Sequence, residues 1–66
     1  MTTRIKVERA RKDMTQVDLA KALKVSVDAI NAIENKRYMP SVILAAKMAK
    51  YFDVKIDYLF VLEEGD

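Results

Sequence analysis

Two helix-start signals that lie only eleven residues apart constrain this chain more than any other feature of its sequence. Thr15 is followed three residues later by Asp18, which is close to a capping box, and Ser26 is a second residue of the N-capping type. The helix that starts at Thr15 is predicted to end near Leu23, so few residues connect it to the next one. Two short helices joined in this way can pack only at a steep angle, and Ala20 is the small residue needed where they touch.

The helix that begins at Ser26 and is predicted to stop near Glu34 has two different faces. Ile30 and Ile33 share its core face, and Val25 can fill the corner that precedes it. The opposite face is left to contact a partner. It carries Val27, Asp28, Ala29, Asn31 and Ala32.

A further helix is predicted before this pair, over about residues 3–13. Its apolar positions are Ile5, Val7 and Ala10, which form a thin stripe. Residues 4–7 also alternate as a strand does, so the first residues of this segment fit either structure.

Two more helices are predicted after the pair. One begins at Ser41, directly after Pro40, because a proline restricts the residue before it and sets a helix boundary. The other covers about residues 56–62, and residues 63–66 are expected to form an acidic tail. The pattern therefore predicts an all-α fold of five helices. The expected core positions of these two helices are Leu44, Ala45, Met48, Ala49, Phe52, Leu59 and Phe60.

Composition limits what such a fold can do. The chain has 66 residues with no cysteine and no histidine, which indicates one small domain without a disulfide or a thiolate-bound metal. It also has no glycine-rich phosphate loop, so no enzymatic activity, cofactor, metal or small-molecule ligand is expected. No apolar run approaches the roughly 18 residues of a membrane span, and the first residues lack the apolar stretch of a signal peptide. A cytoplasmic protein that does not bind membranes is therefore expected.

The formal net charge of +2 is unevenly distributed along the chain. Residues 1–37 carry nine Lys/Arg against five Asp/Glu, whereas residues 38–66 carry three against five. The basic front half indicates an anionic partner, although on charge alone it also fits an ordinary solvated surface.

The motifs of the chain resemble those of one known family, the phage-repressor-like, xenobiotic-response-element (XRE) helix-turn-helix proteins. Residues 15–26, TQVDLAKALKVS, resemble its signature TQxxLAxxLGVS. The similarity continues with INAIEN at 30–35, with PS at 40–41 before LAAKMA at 44–49, and with IDYLF at 56–60. It covers about residues 4–60. The resemblance implies a compact, lambda-repressor-like domain that places its third helix in the major groove of double-stranded DNA.

The resemblance also implies roles for individual residues. Gln16 would bind a DNA phosphate and brace the third helix, while Arg9 and Glu34 would form an ion pair that ties the first helix to the third. Phosphate contacts are expected from Gln16, Ser26, Asn35, Lys36, Arg37 and Tyr38.

Base contacts are expected from the exposed face of the third helix, which has neither arginine nor glutamine. Val27, Ala29 and Ala32 offer only apolar contact, as to thymine methyl groups. Asp28 can accept a hydrogen bond from cytosine N4 or merely complete the helix cap, and Asn31 can bond adenine if it reaches. Modest direct readout is therefore expected, with a larger share from DNA shape.

The chain departs from the family pattern at positions where glycine is common. Lys24 lies in the turn, Lys36 follows the third helix, and Asp53 precedes Val54. A residue other than glycine in the left-handed region costs roughly 1 kcal/mol, although aspartate tolerates that conformation better than most. Lys55 also stands where the family usually has a capping Ser or Thr.

One such domain contacts little DNA, so a homodimer on a pseudopalindromic operator is expected, with recognition helices about 34 Å apart. The expected dimer interface is Tyr58, Val61 and Leu62, although these residues can equally cover the core of the monomer. Residues 4–7 and 60–62 are candidates for a small β-pairing of the chain ends. A transcriptional repressor is the expected function. An antitoxin-like or other protein-interaction module on the same fold is the main alternative, and a purely structural oligomer is the third.

Overall fold

The structure, a computed structural model, describes residues 1–63, so most of the expected acidic tail, residues 64–66, lies outside them. The described residues form five helices and one two-stranded antiparallel sheet, which confirms the predicted architecture. The elements in chain order are β1 (Thr2–Thr3), α1 (Ile5–Arg11), α2 (Gln16–Leu23), α3 (Val27–Glu34), α4 (Val42–Phe52), α5 (Ile56–Leu59) and β2 (Phe60–Val61).

The chain ends pair as strands, and the C-terminal strand lies within the predicted residues 60–62, but the N-terminal strand precedes the predicted residues 4–7. Thr2 lies opposite Val61 and Thr3 opposite Phe60, whereas residues 5–7 are helical. The backbone N–H of Arg4 donates to the carbonyl of Leu59 at 2.9 Å, so the pairing is complete before α1 begins. The fifth helix is shorter than predicted because the backbone turns extended at Phe60 and enters β2.

The three predicted N-caps are confirmed. The N–H of Asp18 donates to the Thr15 hydroxyl at 3.0 Å, and the N–H of Thr15 donates to the Asp18 carboxylate at 2.9 Å, which completes a capping box. Ser26 and Ser41 each accept a hydrogen bond at 3.1 Å from the backbone N–H three residues on.

Helices α1 to α4 all end in the same motif, although the only glycine of the chain is at position 65. A residue in the left-handed region follows each helix, and the N–H of that residue and the N–H of the next both bond back to the helix. After α2, Lys24 (φ 59°) bonds to the Lys21 carbonyl and Val25 bonds to the Ala20 carbonyl. The three positions where the family often has glycine, Lys24, Lys36 and Asp53, all have positive φ. Asp13 also has positive φ, which the sequence did not predict.

The core contains the expected face of α3, most of the α4 stripe and Leu59 of α5, while Leu44 and Phe60 are half-buried against it. Of the three apolar positions of the predicted first helix, only Ile5 is buried, whereas Val7 and Ala10 are exposed. Glu8 is buried instead, and its carboxylate accepts a hydrogen bond from the Tyr58 hydroxyl at 2.9 Å. The buried residues are Ile5, Glu8, Leu19, Ala20, Leu23, Ile30, Ile33, Ala45, Met48, Ala49, Phe52 and Leu59.

Candidate nucleic-acid interface

Helices α2 and α3 form a helix-turn-helix. The turn is closed by the hydrogen bond from the Val25 N–H to the Ala20 carbonyl at 3.0 Å, and Val25 packs against the core. Ile30 and Ile33 are fully buried, so they hold α3 to the rest of the domain along one side. The other side of α3 is accessible to a partner.

The five expected base-contacting residues lie on α3 with different degrees of exposure. Val27 and Asp28 are exposed near the start of the helix, whereas Ala29, Asn31 and Ala32 are half-buried. The Ser26 hydroxyl caps the helix, and within residues 1–63 the Asp28 carboxylate accepts no hydrogen bond. The carboxylate of Asp28 is therefore available to a partner.

The expected ion pair between Arg9 and Glu34 is present and joins α1 to α3. Arg9 Nε and Nη2 donate to the two carboxylate oxygens of Glu34 at 2.7 and 3.0 Å, and Nη1 donates to the Met14 carbonyl at 2.8 Å. Both side chains are largely buried. The hydrogen bond to Glu34 raises the pKa of Arg9, so the guanidinium keeps its charge.

A chain of hydrogen bonds extends from this ion pair to the exposed face of α3. Gln16 Nε2 donates to Glu34 at 3.3 Å, Asn31 Nδ2 donates to Gln16 Oε1 at 3.3 Å, and Arg37 Nη2 donates to Asn31 Oδ1 at 2.6 Å. We call these five residues the Arg9–Arg37 network. It links α1, α2, α3 and the segment after α3. The family resemblance implies that Gln16 braces α3, and the hydrogen bond between Gln16 and Asn31 is a direct contact of that kind.

Sequence reasoning missed the two bonds of the Asn31 side chain. Gln16 and Asn31 lie on different helices, and Arg37 lies six residues beyond Asn31, which is not a helix-neighbour spacing. No local pattern could have signalled either contact. Each end of the Asn31 amide makes one hydrogen bond, so Nδ2 keeps one N–H and Oδ1 keeps one lone pair for the expected contact with adenine.

The expected phosphate-contacting residues lie at the ends of α2 and α3. Gln16 is the first residue of α2, and Ser26 directly precedes α3. Beyond α3, Asn35 Nδ2 donates to the Asn31 carbonyl at 2.9 Å, and Lys36, Arg37 and Tyr38 are exposed. The arrangement surrounds the exposed face of α3 with donors and two cations, as an anionic duplex requires.

The expected dimer residues are not equally accessible. The Tyr58 hydroxyl bonds to Glu8, and the Arg4 guanidinium lies 4.7 Å from the centre of the Tyr58 ring. The tyrosine also packs against the core. Val61 is half-buried in β2, whereas Leu62 is 68% exposed. Tyr58 therefore covers the core of the monomer, whereas Leu62 is the most accessible of the three residues.

The described part of the chain offers no other obvious chemistry. Within residues 1–63, no three acidic side chains come together as metal ligands would. No helix in that range is long and apolar enough to cross a membrane.

Comparisons with known proteins agree with this geometry. A helix-turn-helix family model matches residues 5–59. An HTH-type transcriptional regulator of Methanocaldococcus jannaschii is 47% identical over 66 residues, which is the full length of both chains. One of Archaeoglobus fulgidus is 44% identical over the whole of this chain and 93% of its own, and YgzD of Bacillus subtilis is 38% identical over 97% of each. This chain therefore belongs to the phage-repressor-like helix-turn-helix family of DNA-binding transcriptional regulators, which are not enzymes.

Proposed function

We propose that this protein is a homodimeric, sequence-specific DNA-binding regulator that represses transcription by occupying a pseudopalindromic operator. The observation that carries the proposal is the exposed face of α3, which is held from behind by Ile30 and Ile33 and flanked by Gln16, Lys36 and Arg37. A helix about 10–12 Å across fits a major groove about 12 Å wide. The backbone amides and cations at its ends can then meet the phosphates on both sides.

The exposed face of α3 supports a few specific contacts rather than many. Val27 and Ala32 present methyl groups to thymine, and Asp28 presents an acceptor to cytosine N4. Asp28 also repels phosphates, which penalises badly aligned sites. The rest of the discrimination comes from DNA shape and from the spacing of two half-sites.

The dimer half of the proposal rests on an apolar groove between the start of α4 and the chain end. The groove has a volume of about 290 Å³. Val42 and Leu62 line the groove and are 81% and 68% exposed. Contiguous apolar surface of this kind marks an interaction site, and a second copy of the chain is the partner that a pseudopalindromic operator needs. The other lining residues are Met1, Met39, Pro40, Ala45, Ile56, Asp57 and Phe60.

Selection from a randomised duplex library, followed by sequencing, tests the proposal. We expect one enriched, two-fold symmetric site, and an affinity that falls steeply as the salt concentration rises. A double variant, Lys36→Ala with Arg37→Ala, should bind more weakly with a flatter salt dependence. Absence of any enriched site, with binding that is absent or insensitive to salt, would contradict the proposal.

The same apolar groove also favours a second candidate, an antitoxin-like module that binds a different protein there. The two functions differ in the state of the isolated protein. A chain that remains a 7.6 kDa monomer at micromolar concentration and selects no DNA site would favour the second candidate. The repressor role is tested separately by placing the selected site over a promoter and measuring transcript level, which we expect to fall when the protein is added.

A further inference from the structure

The Arg9–Arg37 network ends on the exposed face of α3 with a cation, and we infer that Arg37 reads a guanine in each half-site rather than a phosphate. Asn31 acts as the positioning residue for the guanidinium. This inference rests on the proposed DNA-binding function and names a guanine-reading cation, which α3 itself does not supply.

The backbone places the start of the Arg37 side chain against the end of α3. The Arg37 N–H donates to the Ala32 carbonyl at 2.9 Å, and the Lys36 N–H donates to the Ile33 carbonyl at 3.1 Å. Lys36 has a φ of 62°, so the chain reverses immediately after the helix. Arg37 is therefore tied to α3 by its own main chain and is not part of a loose loop.

The side chain then folds back along α3. Its Nη2 lies 2.6 Å from Asn31 Oδ1, and the amide of Asn31 is held in turn by Gln16. Asn31 follows Val27 by four residues and Asp28 by three, so all three share one side of the helix. The guanidinium consequently lies over the face that is proposed to enter the major groove.

The chemistry of this position favours a base over a phosphate. A guanidinium has five N–H donors, and within residues 1–63 the side chain of Arg37 makes only the one bond to Asn31. Its remaining planar edge can donate to O6 and N7 of guanine, which is the commonest specific contact in the major groove. No residue of the α3 face is a cation. Asn31, the amide donor of that face, already makes one bond to Gln16 and accepts one from Arg37, which orients it towards the guanidinium.

The neighbouring Lys36 provides a matched comparison. It is exposed and carries the same charge one residue away, and within the described residues its side chain makes no hydrogen bond and no ion pair. A lysine directed at solvent from the helix end is suited to a phosphate, which it binds as a point charge. The two adjacent cations should therefore behave differently on substitution.

The experiment repeats the library selection with the full chain as wild type, Arg37→Lys and Lys36→Gln. We expect Arg37→Lys to lose a guanine preference of about 5- to 100-fold at one position of each half-site, with its salt slope unchanged because the charge is kept. We expect Lys36→Gln to keep that preference and to lower the salt slope by about 0.9 for each subunit bound.

Asn31→Ala provides the second arm, because it frees the guanidinium without removing it. Its guanine preference should fall at the same position as in Arg37→Lys, and the double variant should lose no more there than Arg37→Lys alone. Thermal melting checks that each variant folds; if Asn31→Ala does not, the exposed Arg37→Lys decides the question by itself.

The possible outcomes distinguish a failure of the role inferred for Arg37 from a failure of the proposed DNA-binding function. If the wild type enriches a site whose base preferences survive in Arg37→Lys, the reading role is wrong while DNA binding stands. The same holds if Arg37→Lys and Lys36→Gln alter binding alike at all sequences. If the wild type enriches nothing, the proposed function fails and the inference falls with it.

Discussion

At the scale of single residues, four non-glycine residues in the left-handed region hold the ends of α1 to α4. Such a conformation brings the Cβ atom too close to the following carbonyl oxygen. Lysine has no side-chain group that relieves this crowding, whereas aspartate tolerates the region better. The backbone hydrogen bonds of the motif maintain the geometry in spite of the strain.

Substitution of Lys24 by glycine should therefore stabilise the domain. We expect the free energy of unfolding, measured by urea denaturation, to rise by about 1 kcal/mol. Lys21→Gly is the control, because Lys21 is also an exposed lysine but lies within α2, where glycine should cost about 1 kcal/mol. A loss of stability in Lys24→Gly would show that the left-handed geometry carries no strain.

The capping box makes the stability of α2 depend on pH. Hydrogen bonds from the backbone and the side chain of Thr15 lower the pKa of Asp18 below its ordinary value of 3.8. A lowered pKa contributes stability that is present above the ordinary value and is lost as the pH falls through the folded value. The difference in melting temperature between wild type and Asp18→Asn should thus shrink between about pH 5 and pH 2. A difference that stays constant over this range would contradict the assignment.

At the scale of elements, the Arg9–Glu34 pair connects α1 to α3. Their side chains are 13% and 5% exposed, so neither charge can be solvated if its partner is removed. Removal of one member of a buried pair costs more than replacement of both, because it leaves an uncompensated charge. The pair thus specifies how α1 and α3 meet.

We expect Glu34→Leu alone to lower the free energy of unfolding by about 3–5 kcal/mol, which is enough to unfold a chain of this size. The double variant Arg9→Met with Glu34→Leu should recover most of that loss. Circular dichroism with urea titration measures both. A double variant that loses as much as Glu34→Leu, or more, would show that the unpaired charge of Arg9 is not the cause of the loss.

The sequence predicted these elements well where the signal for them lies within a few neighbouring residues. Helix starts were predicted correctly at Thr15, Ser26 and Ser41, because an N-cap acts over three residues. The buried face of α1 was predicted only in part. Its thin apolar stripe did not reveal that Val7 is exposed and that Glu8 is buried, where it bonds to Tyr58.

Contacts between residues far apart in the sequence could not be predicted from such local signals. The ion pair of Arg9 was expected only because the motif resembles a known family. The bonds from Asn31 to Gln16 and Arg37 depend on how the helices cross and on the side-chain conformation after α3, so they emerge only in three dimensions.

At the scale of the whole molecule, the domain has two different surfaces. One carries the exposed face of α3 with its flanking cations, and the other carries the apolar groove that Val42 and Leu62 line. Two copies that meet through the groove would present two copies of α3 to one duplex, which is what a two-fold symmetric operator requires.

The groove can be tested without disturbing the fold. Val42 is 81% exposed and is the first residue of α4, where a negative charge favours the helix dipole. Val42→Glu should therefore keep the melting temperature of the monomer but place a charge in the dimer interface. We expect sedimentation at micromolar concentration to show dimer for the wild type and monomer for Val42→Glu. Val7→Glu, on an exposed position outside the groove, should stay dimeric.

Backbone amide chemical shifts of labelled protein titrated with its selected duplex show whether the exposed face of α3 contacts DNA. We expect the largest changes on Gln16, on residues 26–32 and on residues 35–38, while the amides of the α4 core face keep their shifts. Changes that concentrate around Val42 and Leu62, with residues 26–32 unaffected, would show that DNA does not bind at α3.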